Sequence, residues 1–72
     1  MIFAHDVKKM VVEFLKNEPG PLKKDDLIIE VIEHSGFSES QVVDILDEMV
    51  KDREIFESED IIYLHDPRDQ NT

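Results

Sequence analysis

Apolar residues recur once per helical turn in three separate stretches of the chain, which predicts three amphipathic helices. Each stripe gives its helix one face to bury. Phe3 extends the first stripe toward the N-terminus. The stripes comprise Val7, Met10, Val11, Phe14 and Leu15; Leu27, Ile28, Val31 and Ile32; and Val42, Ile45, Leu46, Met49 and Val50.

Helix-breaking residues separate the first two stripes. The first helix must end within residues 17–21, where two prolines flank a glycine and remove backbone donors. Leu22 then follows as a short extended residue that faces the core. The second helix is expected to start near Asp25, which suits an N-cap or first turn, and to close at Gly36.

The third helix has the clearest local signal for its start. Ser38 and Gln41 have the spacing of a capping box, in which each side chain satisfies the backbone N–H of the other residue. Phe37 before the cap and Val42 in the first turns of the helix form a hydrophobic staple. This helix is expected to end near Asp52.

Two short β-prone runs follow, at residues 54–57 and 61–65, with polar residues 58–60 between them. This spacing predicts a β-hairpin. One face of the hairpin would contribute Ile55, Ile62 and Leu64 to the core. The opposite face would expose Phe56, Ile61 and Tyr63. Residues 66–72 contain no apolar side chain, so we expect one domain over residues 1–65 and a disordered tail over 66–72.

The order of these elements predicts an α+β, mainly α fold: a winged helix, in which a three-helix bundle containing a helix-turn-helix precedes a two-stranded hairpin, the wing. Residues 38–64, and above all the stretch KDREIFE at 51–57, resemble the C-terminal winged-helix domains of the archaeal minichromosome maintenance helicase and of the replication protein A middle subunit. The resemblance implies recruitment of partners, or regulation of an ATPase core, in DNA replication. Arg53 departs from it, because those families usually have glycine there.

Charge narrows the range of partners. The 72 residues carry 18 acidic and 8 basic side chains, a net charge of −10. Residues 1–24 hold five basic and three acidic groups, whereas residues 25–72 hold three basic and fifteen acidic groups. The C-terminal two-thirds would therefore repel a polyanion such as duplex DNA.

The outward face of the third helix is accordingly predicted to dock a basic segment of another protein. Its charged positions opposite the apolar stripe are Asp44, Asp47 and Lys51, with Glu48 on the flank. Phe56, Ile61 and Tyr63 of the hairpin would supply the apolar anchor. Two alternatives remain: the acids form an ordinary solvated face, and the three apolar residues are covered by residues 1–3 or by the tail.

Five lysines form the candidate surface for nucleic acid: Lys8, Lys9, Lys16, Lys23 and Lys24. Such a surface would suit a small DNA-binding transcriptional regulator, which is the main alternative function. Solvated charges balanced by nearby acids are the simpler interpretation of these lysines. An acidic mimic of DNA is a third possibility, and it depends on charge alone.

The sequence contains no pattern typical of catalysis. The three histidines lie in different predicted elements without metal-ligand spacing, and cysteine is absent. We therefore expect no enzyme activity, no metal and no cofactor. The lack of cysteine and of a basic, apolar leader predicts a protein of the cytoplasm, or of the nucleus in a eukaryote, with no membrane partner.

Overall fold

The computed structural model describes residues 2–17 and 21–66. It contains α1 (Ala4–Asn17), β1 (Leu22–Lys23), α2 (Lys24–Ser35), α3 (Glu39–Lys51), β2 (Phe56–Ser58) and β3 (Ile61–Tyr63). The prediction of a mainly helical α+β fold with three helices is confirmed. Two stretches lie outside the described residues. They are residues 18–20, within the segment predicted to end the first helix, and residues 67–72 of the predicted tail.

The three strands form one antiparallel sheet in the order β1-β3-β2. Leu22 pairs with Ile62, and the Lys24 N–H donates to the Asp60 carbonyl at 2.8 Å. The predicted two-stranded hairpin is thus one strand short of the observed sheet. A two-residue strand between Pro21 and a helix is too short to show alternation, so only its pairing with β3 identifies it.

The core lies where the three helices meet the inner face of the sheet. It consists entirely of apolar side chains, because no polar or charged residue in the described part of the chain is buried. Its members are Val7, Val11, Leu15, Leu27, Ile28, Val31, Val42, Ile45, Leu46, Met49, Ile55 and Ile62. These residues confirm the predicted stripes and the inward face of the hairpin, with Leu64 half-buried against them.

Phe3 does not belong to this core. Its side chain is 54% exposed, and its ring stacks on that of His5 with 6.0 Å between centroids. The Phe3 backbone instead caps the start of α1, since its N–H donates to the Asp6 carboxylate at 2.9 Å and its carbonyl accepts from the Val7 N–H at 3.2 Å. The predicted extension of the apolar stripe to Phe3 is therefore wrong. At the N-terminal end of α1, the Phe3 ring remains in solvent.

The start of α3 has the predicted capping box. The Gln41 N–H donates to Ser38 Oγ at 3.3 Å, and the Ser38 N–H donates to Gln41 Oε1 at 2.9 Å. Val42 is buried and Phe37 is half-buried against the core. These local bonds satisfy backbone donors that a helix N-terminus leaves free.

A Schellman motif ends α3 and sets the direction of the chain toward β2. Arg53 adopts a left-handed φ of 62°, its N–H donates to the Val50 carbonyl at 3.0 Å, and the Glu54 N–H donates to the Met49 carbonyl at 2.9 Å. Because the motif occupies residues 52–54, β2 begins at Phe56 and not at the predicted position 54.

The β2–β3 hairpin closes through two residues only. Ser58 pairs with Ile61, and the intervening Glu59 and Asp60 have φ values of 53° and 65°. Two consecutive positive φ angles in a two-residue loop define a type I′ turn, which matches the twist of the strands. The loop is thus one residue shorter than predicted, and the pairing of β3 ends at Tyr63 rather than at 65.

Candidate docking surfaces

The outward face of α3 forms a shallow depression. Asp44, Asp47, Glu48 and Lys51 line it, and the half-buried Val50 supplies an apolar contact. The four charged residues share this face because Val42, Ile45, Leu46 and Met49 turn the opposite side of the helix into the core. The structure therefore brings together all four charged residues that the sequence placed in the docking site.

One acid in this depression already has a partner from α1. The Lys8 Nζ lies 2.6 Å from Glu48 Oε1, which makes a charge-assisted hydrogen bond between α1 and α3. This hydrogen bond raises the pKa of Lys8 and lowers the pKa of Glu48. The sequence places these two residues on different surfaces, since nothing local relates positions 40 residues apart.

The apolar residues of the hairpin are less exposed than expected. Phe56 and Tyr63 lie opposite each other in the β2–β3 register, and both are half-buried. Ile61 is also half-buried and lies between Lys23 and Ser58 of the neighbouring strands. None of the three lines the α3 depression. The predicted exposed aromatic face is therefore only a partly covered sheet surface.

The five candidate lysines do not line a single concavity. Lys8, Lys9 and Lys16 line a concavity along α1, together with the acids Glu13 and Glu54. Two of the five also form ion pairs inside the domain. Lys8 pairs with Glu48, and Lys24 Nζ lies 3.4 Å from Glu57 Oε1. Lys23 is exposed on β1. This arrangement weakens the positive field available to a phosphate backbone.

A third concavity was not anticipated from the sequence. It is a cleft with a volume of about 300 Å³, lined by Phe14 of α1, Leu22 of β1 and Asp26, Ile29 and Glu30 of α2. We call it the α1–α2 cleft. The available signal was the run Leu27-Ile28-Ile29, in which only the first two residues belong to the buried stripe.

His5 and His34 both have local ring contacts. The His34 ring packs edge-on against Phe14 with 5.2 Å between centroids, and its Nδ1 lies 2.9 Å from the Glu30 carbonyl oxygen. Across residues 2–17 and 21–66, no three His, Asp or Glu side chains cluster in a way that could hold a metal ion. Within the same ranges, no helix is long and apolar enough to cross a membrane.

Comparison with known proteins identified no relative of this chain. No protein-family model matches the chain, and neither a curated protein nor a solved structure matches it significantly.

Proposed function

We propose that this chain is a winged-helix module that binds another protein and catalyses no reaction. The observed element order and the sheet order β1-β3-β2 support the fold assignment. In this interpretation α2 and α3 form the helix-turn-helix, and the β2–β3 hairpin is the wing. The resemblance of residues 38–64 to replication domains extends the proposal to the DNA replication machinery, where the module would recruit or regulate a partner.

The observation that carries the proposal is the charge on α3. In a DNA-reading winged helix, the exposed face of this helix would meet base edges and phosphates. Here it presents Asp44 and Asp47, neither of which forms an ion pair with any other described residue. The turn of the wing adds Glu59 and Asp60, both exposed. This surface repels DNA and attracts a basic protein segment.

The expected partner is a basic segment with a small apolar contact. Its lysines or arginines would approach Asp44 and Asp47, while an aliphatic group would contact the half-buried Val50. Binding through exposed charges depends on solvent screening, so its affinity should fall as the salt concentration rises. Steering by the acidic face would also raise the association rate at low salt.

A charge-reversal experiment tests this site. The variant Asp44→Lys with Asp47→Lys should bind a short peptide of lysine and alanine at least roughly tenfold more weakly than the native chain in low salt. The matched control is Asp25→Lys with Glu33→Lys, which makes the same charge change at exposed positions of α2. Equal weakening in both variants would show that net charge, and not the α3 depression, attracts the peptide.

A DNA-binding regulator remains the second candidate because Lys8, Lys9 and Lys16 share a concavity on α1. Titration of a generic duplex into ¹⁵N-labelled protein at low salt distinguishes the two functions. Amide shifts along α1 would support an auxiliary nucleic-acid surface, whereas shifts on α3 and the wing would overturn the proposed function. A spectrum that duplex DNA leaves unchanged is the result expected for the protein-binding module.

A further inference from the structure

The α1–α2 cleft combines an apolar interior with an acidic rim. Phe14 and Leu22 are half-buried and form its walls, while Ile29 is 54% exposed beside them. Asp26 and Glu30, one helical turn apart on α2, supply the acids. The cleft lies outside the α3 depression, and the two concavities share no residue.

Neither the core nor local helix formation requires Ile29. The buried face of α2 is already supplied by Leu27, Ile28 and Val31. A β-branched residue at an exposed helical position forms helix less readily than glutamate or lysine would. A single exposed isoleucine is ordinary. At the mouth of an apolar cleft, however, Ile29 enlarges the surface that a ligand side chain could contact.

The walls of the cleft are held in place by contacts behind them. The Phe14 ring packs against His34, and Leu22 is fixed by its antiparallel pairing with Ile62. The His34 Nδ1 lies 2.9 Å from the Glu30 carbonyl oxygen but 3.9 Å from Glu30 Oε2, so the closer contact is with the backbone and not with the carboxylate. The Glu30 side chain is nevertheless 54% exposed and lies at the rim of the cleft.

We propose that the α1–α2 cleft is a second docking site, which receives one large apolar side chain from a basic segment of a partner protein. A volume of about 300 Å³ lies at the lower end of ligand pockets, and it suits a leucine or phenylalanine better than an extended apolar surface. The acids at positions 26 and 30 select partners with lysine or arginine beside that anchor. They disfavour a second copy of this chain, whose net charge is −10.

The two docking sites should respond differently to salt. Binding at the α3 depression depends mainly on exposed charges, which salt screens. Binding in the α1–α2 cleft depends on burial of an apolar side chain, which salt does not weaken. A partner that used both sites would retain the cleft contact at high salt. Because of this difference, an experiment can disprove one docking site without disproving the other.

The test uses two peptides made of alanine and lysine that differ only at one central position, leucine in the first and alanine in the second. With the full chain at elevated salt, the leucine peptide should bind about tenfold more tightly, the difference expected for partial burial of the larger side chain. Amide shifts should centre on Phe14, Leu22 and Ile29. Equal affinities, or shifts confined to α3, would overturn the proposal.

Substitutions at the mouth of the cleft separate its apolar and charged contributions. Ile29→Ser should remove most of the preference for the leucine peptide, whereas Ile29→Leu should keep it. Both substitutions should leave the fold intact, because Ile29 is exposed. Asp26→Asn with Glu30→Gln should weaken both peptides equally when binding is measured in low salt. The charge reversal at Asp44 and Asp47 should leave the leucine preference unchanged, which separates this proposal from the function assigned to α3.

Other occupants of the cleft would produce distinct results. A native chain that dimerises in sedimentation experiments, with Ile29→Ser restoring the monomer, would assign the cleft to a second copy and overturn the partner proposal. If removal of residues 67–72 shifted the Ile29 amide and strengthened peptide binding, the cleft would be assigned to the chain's own C-terminal segment. That result would also overturn the partner proposal. A monomer whose Ile29 amide is unaffected by the truncation supports an external partner.

Discussion

Replacing Arg53 with glycine should stabilise the domain. Arg53 occupies the left-handed position of the Schellman motif that ends α3, with a φ of 62°. In this conformation a Cβ atom approaches the following carbonyl group and costs roughly 1–2 kcal/mol. Glycine has no Cβ, so it removes this strain while keeping the hydrogen bonds from residues 53 and 54 to the last turn of the helix.

The net gain is smaller than the strain itself. Glycine gives the unfolded chain more conformational freedom, which opposes folding by roughly 0.4–1 kcal/mol. The Arg53 side chain is exposed and forms no ion pair with any described residue, so its removal deletes no stabilising contact there. The expected increase in the free energy of unfolding is therefore about 1 kcal/mol, or a few degrees in Tm for a domain of this size.

Urea unfolding followed by circular dichroism measures this change. The midpoint should rise for Arg53→Gly without a change in the slope of the free energy against urea concentration. Arg53→Ala is the matched control, because it removes the same charge but retains the Cβ and therefore the strain. If alanine stabilised the domain as much as glycine, charge and not backbone strain would be the cause, and the reasoning would be refuted.

Three further predictions concern the core, the hairpin and the α1–α3 ion pair. Leu46→Ala should lower the free energy of unfolding by about 2–5 kcal/mol, measured by the same urea assay, because Leu46 is buried in the core; unchanged stability would contradict its burial. Glu59→Asn with Asp60→Gly should stabilise the domain by about 1 kcal/mol, since asparagine followed by glycine is the preferred pair in a type I′ turn. Thermal unfolding measures this change, and a lower Tm would argue against that turn. The lowered pKa of Glu48 and the raised pKa of Lys8 mean that their pair stabilises the domain at neutral pH. The stabilisation by this pair should disappear as the pH falls through the pKa that Glu48 has in the folded protein, or rises through the pKa of Lys8. When urea midpoints are measured over a range of pH, both losses of stability should be smaller in Glu48→Gln.

Local patterns were sufficient for the helices and their boundaries. The stripe in α3 identified its buried face because helical periodicity relates residues within a few positions of one another. The capping box at Ser38 and Gln41 was predictable for the same reason, as both hydrogen bonds close within one turn. The acids on the outer face of α3 followed directly from knowing its inner face. For the helices, the sequence and a helical wheel are enough to identify the buried and exposed faces.

Contacts between distant segments were decided by the tertiary structure. Leu22 becomes a strand only because Ile62 lies beside it, and Glu48 is joined to Lys8 only because α1 crosses α3. The α1–α2 cleft likewise requires Phe14, Leu22 and Ile29 to meet from three elements. Sequence periodicity describes which way a side chain faces on its own helix or strand. It contains no distance between elements, so pairings and clefts emerge only when the helices and the sheet pack around their common core.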